Sequence, residues 1–299
     1  MAETSARPFG SLLTAMVTPM ADDGSVDLKA AASLAEHLVE HGHDGVVLNG
    51  TTGEAPTTHA PEEADLIRAV VEAVGDRALV LAGAGSNDTS HAVRMAEQAA
   101  QAGAHGLLVV SPYYSRPSQE GIYQHTVAVA DATDLPVMLY DVPGRTVVRY
   151  SLPTLERLAA HPRIVAVKDA TGDVQGAMRA ISRTGLAYYS GDDGLLLPFL
   201  SVGAVGLVSM AAHLVGDELA AVIRDFDADP AGSRATFASV LPAIDLICGS
   251  GNGALRSKLT LTLLGLIPSA AMRLPQAAAG EDEVLEVRAA LIAAGLLTV

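Results

Sequence analysis

Short apolar runs and longer amphipathic stretches alternate along most of this chain. The runs are Leu12–Val17, Val46–Leu48, Leu79–Ala82, Gly106–Val110, Val137–Tyr140, Ile164–Lys168, Leu186–Ser190 and Val205–Val208. Short apolar runs rich in β-branched residues predict buried strands. Between them lie Ala-rich stretches of helical period, such as Leu28–His41, Glu62–Val74, Thr89–Gln101 and Leu152–Ala160. Asp27 before Leu28, and Ser151 before Leu152 with Pro153 behind it, are capping residues where helices should start. Strand starts recur every 20 to 35 residues or so. Strands alternating with helices predict parallel pairing. Eight such units point to an α/β fold, a closed (β/α)8 TIM barrel. An open doubly wound sheet is the alternative. From about Pro230 the strand pattern stops and Ser233–Cys248, Gly253–Leu264 and Glu281–Leu297 read as helices. The expected organisation is a barrel over residues 1–230 and a C-terminal helical appendage, residues 231–299, packed on it.

In barrel enzymes the chemistry collects at the carboxyl ends of the strands. Six of the eight strands leave through residues that carry it or shape the rim: Thr18-Pro19, Asn49-Gly50-Thr51-Thr52-Gly53-Glu54, Ser111-Pro112-Tyr113-Tyr114, Tyr140-Asp141-Val142-Pro143-Gly144-Arg145, Lys168, and Gly191-Asp192-Asp193. An amine at the end of a buried strand loses hydration, which favours the neutral form that attacks carbonyls. Lys168 is therefore a candidate nucleophile; a snorkelling lysine or an ion pair with Asp169 is the alternative. Tyr140 lies 28 residues earlier, one βα unit away, so it should stand beside Lys168 at the same rim. A phenol next to an amine suits Schiff-base chemistry, with the tyrosine moving protons through carbinolamine and enamine stages. Tyr140 could instead cap the core. The Gly50–Gly53 turn offers two hydroxyls and free N–H groups to a carboxylate, unless it is an ordinary βα turn. Arg145, after a Pro-Gly turn, can grip a carboxylate in bidentate fashion, unless it is a solvated loop residue.

Charge and composition narrow the class. A formal net charge of −15 argues against nucleic acid or an anionic membrane as partner. No apolar stretch reaches bilayer-spanning length, and Met1–Arg7 lacks the basic start and apolar core of a signal peptide, so a cytoplasmic location is expected. The single cysteine, Cys248, excludes an internal disulfide and reads as a buried structural thiol rather than a reactive one. His41-Gly42-His43 is the close histidine pair, and it follows a helix rather than a strand exit, so no metal site is expected.

Five motifs occur in order: Gly50-Thr51-Thr52-Gly53-Glu54, Tyr113-Tyr114-Ser115-Arg116-Pro117, Tyr140-Asp141-Val142-Pro143-Gly144-Arg145-Thr146, Val167-Lys168-Asp169-Ala170-Thr171-Gly172 and Ser190-Gly191-Asp192-Asp193. Together they resemble the dihydrodipicolinate synthase and N-acetylneuraminate lyase superfamily, from Gly10 to the C-terminal helices. The resemblance implies that Lys168 forms an imine with pyruvate, with no cofactor beyond that covalent bond. It implies Tyr140 as proton shuttle and Thr52 as the link from Tyr140 to Tyr114, the latter supplied by a neighbouring subunit. Thr51 and Thr52 would bind the pyruvate carboxylate. Gly191 and Val208 would present backbone carbonyls near the lysine, and Arg145 would hold the carboxylate of the second substrate.

Within the superfamily, Arg145 and Thr52 resemble the members that condense pyruvate with L-aspartate-4-semialdehyde, a lyase reaction of class I aldolase type on the route to diaminopimelate and lysine. The alternative is another pyruvate-dependent aldolase or dehydratase, for a sugar acid, sialic acid or 4-hydroxy-2-oxoglutarate. A barrel that senses an oxo acid without turnover and a metal-dependent aldolase are further alternatives. A homo-oligomer is implied, a tetramer built as a dimer of dimers. The chain also departs from the family pattern. Asp141 stands where asparagine is common. At the positions that bind inhibitory lysine it carries Ala55, Pro56, Ala60, Glu63 and His91, with Asn87 and Tyr113 retained. Weak or absent lysine inhibition is expected.

Overall fold

A computed structural model describes residues 7–249 and 251–298. The reading of Met1–Arg7 falls, apart from Arg7, outside the described residues. Eight parallel strands close into one barrel in sequence order, β1 next to both β2 and β8. They are β1 (Leu12–Ala15), β2 (Gly45–Leu48), β3 (Leu79–Gly83), β4 (Gly106–Val110), β5 (Val137–Asp141), β6 (Ile164–Asp169), β7 (Ala187–Ser190) and β8 (Gly206–Ser209). Every predicted run thus holds a strand, with ends shifted by one or two residues. The open-sheet alternative is excluded by closure.

The intervening helices are α1 (Leu28–Glu40), α2 (Glu62–Val74), α3 (Thr89–Gln101), α4 (Gln119–Asp131), α5 (Pro143–Thr146), α6 (Leu152–Leu158), α7 (Val174–Thr184) and α8 (Leu196–Ser201). Side-chain oxygens start several of them. Asp27 accepts from Ala30 N, Asp88 from Ser90 N, and Ser151 from Thr154 N, each satisfying an N–H that the helix itself leaves free.

The apolar runs are continuous because both faces of each strand are buried. Leu13, Ala15, Val47, Leu81, Leu108, Met138 and Ala166 fill the barrel interior, while Val46, Val80, Leu107 and Leu139 pack outward against the helices. Phe9 plugs the bottom. Its N–H donates to the Tyr189 hydroxyl, which donates in turn to Gly10 O.

After β8, α9 (Ala212–Asp225) leads into α10 (Pro230–Cys248), α11 (Gly253–Leu263) and α12 (Glu281–Ala293). The C-terminal helices pack on α9 through Leu219, Val222, Phe237, Ile244, Ile247, Val287 and Leu291. A buried ion pair ties them to the barrel mouth: Lys258 on α11 donates to Glu54, just after the Thr51-Thr52 turn, and to Ala271 O at 2.7 Å. Among the described residues no helix is long and apolar enough to cross a membrane, and no three His, Cys, Asp or Glu side chains gather to hold a metal.

Candidate active site

A single irregularity in the barrel aims the site. The β5–β6 register steps between Val137 and Met138, so Val137 pairs with Ile164 but Met138 with Ala166. The step leaves Val165 as an extra residue on β6; such bulges re-aim side chains. Above it, Ala166 and Lys168 run in phase with Met138 and Tyr140, all on the interior face. Tyr140 pairs with Lys168 across the ladder. Lys168 Nζ lies 4.4 Å from the centroid of the Tyr140 ring.

These two side chains floor a cavity of about 210 Å³ at the carboxyl ends of the strands, walled by Thr51, Thr52, Arg145, Gly191, Asp193, Met210 and Cys248. A second cavity of about 220 Å³ adjoins it, sharing Thr51, Thr52, Arg145 and Met210 and reaching Asn252, Met272 and Gln276 of the C-terminal region. Arg145 sits on α5, a single turn begun by Pro143, and so stands between the two spaces. Gly191 keeps the space beside the lysine open. A Cβ there would come within about 3.1 Å of the Lys168 stem and of Ala170.

Burial is the main force on both reactive groups. Lys168, 5% exposed, is held down to about 8; the Asp193 carboxylate opposes that fall and Arg145 adds to it. Tyr140 is pushed above the ordinary phenol range by burial, against the pull of Arg145 and of a hydrogen bond with Thr51. With a pKa of about 8, about one Lys168 in ten is neutral at pH 7, against roughly one in a few thousand for a solvated lysine.

The ion-pair alternative for Lys168 fails on geometry. Asp169 alternates to the outer face of β6, where its Oδ1 accepts from Thr171 N at 2.8 Å. There it meets Asp141, its partner across the ladder. Asp141 Oδ2 accepts from Tyr150 N at 3.3 Å, and Asp141 Oδ1 is buried without a partner. Burial first, and the neighbouring Asp169 second, raise Asp141 to about 7.

The other expected site residues lie around this centre or apart from it. The threonine side chain that acts on the Tyr140 phenol, holding it down against burial, is that of Thr51. Thr52 is buried in the turn wall, although both line the cavity. Tyr114 does not line its own chain's cavity. It is 85% exposed on the loop after β4, in left-handed backbone (φ 71°). The Val208 side chain fills the barrel interior instead of lining the cavity. Cys248 is half-buried on the cavity wall, where burial and the Asp193 carboxylate push its thiol up and keep it protonated.

Asp193, Met210 and the Glu54–Lys258 pair also shape the site, without a role that their motifs alone assign. Asp193 was visible as part of a strand exit. Lys258 lies 204 residues from Glu54, and neither it nor Met210 carries a local signal.

Comparison with known proteins agrees with this fold. The profile of the Dihydrodipicolinate synthetase family matches residues 8–294. The 4-hydroxy-tetrahydrodipicolinate synthase of Kineococcus radiotolerans is 52% identical over 291 residues, covering 97% of this chain and 94% of the relative. A second such relative, 4-hydroxy-tetrahydrodipicolinate synthase 2 of Streptomyces coelicolor, is 51% identical and covers 99% of both chains. Among solved structures, dihydrodipicolinate synthase from Acinetobacter baumannii complexed with pyruvate superposes with a TM-score of 0.91. It is 36% identical, over 97% of this chain and 100% of that one. The lysine-bound enzyme from Cyanidioschyzon merolae gives 0.92 at 40% identity, over 97% and 99%. The chain belongs to the dihydrodipicolinate synthetase family.

Proposed function

We propose that this protein is a lyase of class I aldolase type that condenses pyruvate with L-aspartate-4-semialdehyde, the reaction of a 4-hydroxy-tetrahydrodipicolinate synthase. The observation that carries this reading is Lys168: a buried amine of lowered pKa, beside a phenol, at the floor of a cavity that shares Arg145 with an adjoining second cavity.

In this reading the neutral Lys168 amine adds to C2 of pyruvate, and loss of water gives the imine. Tyr140 moves the protons, with Thr51 handing them on. Thr51 and Thr52 hold the pyruvate carboxylate in the inner cavity. The Gly191 backbone lies against the Lys168 stem, and in this reading Gly191 and Val208 supply backbone carbonyls near the lysine. Loss of a C3 proton turns the imine into an enamine, a carbon nucleophile. It attacks the aldehyde carbon of the second substrate, whose own carboxylate sits on Arg145 in the outer cavity. No cofactor takes part; the imine does the electron-withdrawing work that a metal does in other aldolases.

Tyr114, exposed and held in left-handed backbone, fits a residue that docks into a partner copy and completes the proton path there. This supports a contact between two copies of the chain; the homo-oligomer in this reading is a dimer of such dimers. Lysine control is weak in this reading: Glu63, at one of the positions expected to bind lysine, is turned inward and accepts from the Thr58 hydroxyl at 3.1 Å. Activity in millimolar lysine should stay near its unsupplemented value.

A substrate panel with pyruvate tests the proposal. Consumption of L-aspartate-4-semialdehyde in preference to sugar acids, N-acetylmannosamine and glyoxylate is the expected result. Turnover of one of those with none of the semialdehyde would assign a different member of the superfamily.

A further inference from the structure

Asp193 is the buried acid on the wall of the Lys168 cavity; Asp192 beside it is exposed. Asp193 opens the short 3-10 turn Asp193–Leu195 after β7, and its carboxylate reaches across to the exit of β8. There it accepts from the Ser209 hydroxyl, from Met210 N at 3.2 Å and from Ala211 N at 3.1 Å. The Cys248 thiol donates at 3.5 Å. Met210 and Ala211 lead into α9, so the carboxylate also lies at the positive end of that helix. Four donors aimed at one carboxylate favour its charged form. Burial is the larger influence and raises the carboxyl above its ordinary range, while the four donors oppose that rise. Both oxygens are met by donors and neither has an acceptor for a proton of its own, so the geometry is that of a carboxylate.

The proposed chemistry needs a negative charge here. When Lys168 condenses with a carbonyl, its nitrogen becomes an iminium, and a buried cation without a counter-charge is costly. The groups facing that nitrogen are few. The Tyr140 ring from β5 offers its face. Arg145 from α5 repels, Thr51 from the β2 exit and Cys248 from α10 are neutral, and Asp192 is screened by water. We propose that Asp193 is the counter-charge of the Lys168 nitrogen, a positioning residue that the donors at the start of α9 hold in place to stabilise the iminium. This inference rests on the Schiff-base reading of the site and names the group that makes the iminium tenable.

The sign of the effect follows from charge alone. Removing the carboxylate leaves Lys168 with burial and Arg145 only, both of which lower its pKa. The amine then becomes neutral at lower pH, while the iminium loses its partner.

The test is borohydride trapping with pyruvate across pH 5–9 in wild type, Asp193→Asn and Asp193→Glu, read as the fraction of Lys168 reduced. In Asp193→Asn the acid limb should move down by about one pH unit, with trapping at limiting pyruvate reduced roughly tenfold. Asp193→Glu, which keeps the charge, should return the limb towards wild type. If Asp193→Asn does not fold, Ser209→Ala carries the test. Losing one donor makes Asp193 easier to protonate, so the limb should move the same way by less. An Asp193→Asn limb at the wild-type pH would overturn the inference while leaving the Schiff-base reading intact. No Lys168 adduct in wild type would overturn both.

Discussion

Tyr140 and Lys168 occupy one rung of the β5–β6 ladder, and the lysine nitrogen lies 4.4 Å from the centre of the tyrosine ring. The bulge at Val165 makes this possible, because it brings the even-numbered residues of both strands to the same face. A phenol so placed can pass protons to the carbinolamine without displacing the amine. Tyr140→Phe should therefore lower kcat by about 10² to 10⁴, the range for loss of a positioned acid-base group. Imine trapping on Lys168 should continue at a lower rate. Steady-state kinetics combined with borohydride reduction separates the two effects.

The adjacent threonines should differ in kind. Thr51 bonds to the Tyr140 phenol, while Thr52 is buried in the turn. Thr51→Val should depress kcat by about tenfold or more, as expected for one lost proton-relay partner. Thr52→Val should act mainly on KM for pyruvate. Measured kcat and KM for both variants check this, and equal losses of kcat would contradict the relay through Thr51.

Much of this architecture is legible in the sequence. The eight strands announce themselves because each is buried on both faces, leaving a continuous apolar run. Lys168 and Tyr140 are legible because a strand end is a defined place in a barrel. The choice between Thr51 and Thr52 is not, because in a turn the direction of each side chain depends on local φ and ψ rather than on strand alternation. Glu54 sits in left-handed backbone (φ 61°) in that turn. The partner that fixes it, Lys258, is 204 residues away, beyond any local pattern. Cys248 reads as an ordinary core thiol from its helix; only the tertiary fold brings that helix end to the cavity.

The Lys258–Glu54 pair should carry stability as well as loop position. Lys258 is fully buried, and Glu54 also accepts from Arg273 N at 3.0 Å. Lys258→Met leaves a buried carboxylate without its cation, which costs about 3–5 kcal/mol. The double variant with Glu54→Gln should recover part of that loss. Denaturant unfolding of both variants and of wild type measures it, and pyruvate KM should rise in Lys258→Met as the Thr51-Thr52 turn loosens.

Asp141 and Asp169 predict a pH dependence of stability. Burial and its neighbour raise Asp141 from 3.8 to about 7 in the folded protein. A folded-state pKa above the unfolded value means that the folded chain holds the extra proton between those limits. The associated stability is full below about pH 4 and is lost as pH rises through about 7. Asp141→Asn keeps the neutral form at all pH. Its melting temperature should exceed wild type by about 2 °C or more at pH 8, with the gap closing towards pH 5. Thermal unfolding at the two pH values checks it, and a gap independent of pH would contradict a proton on Asp141.

The central claim is that Lys168 is the carbon-bonding nucleophile. Borohydride reduction of the protein in the presence of pyruvate, followed by peptide mass mapping, tests it most directly. The account predicts a reduced pyruvate adduct on the peptide carrying Lys168, and none in Lys168→Ala. An adduct on another lysine, or none at all with active wild-type protein, would contradict it.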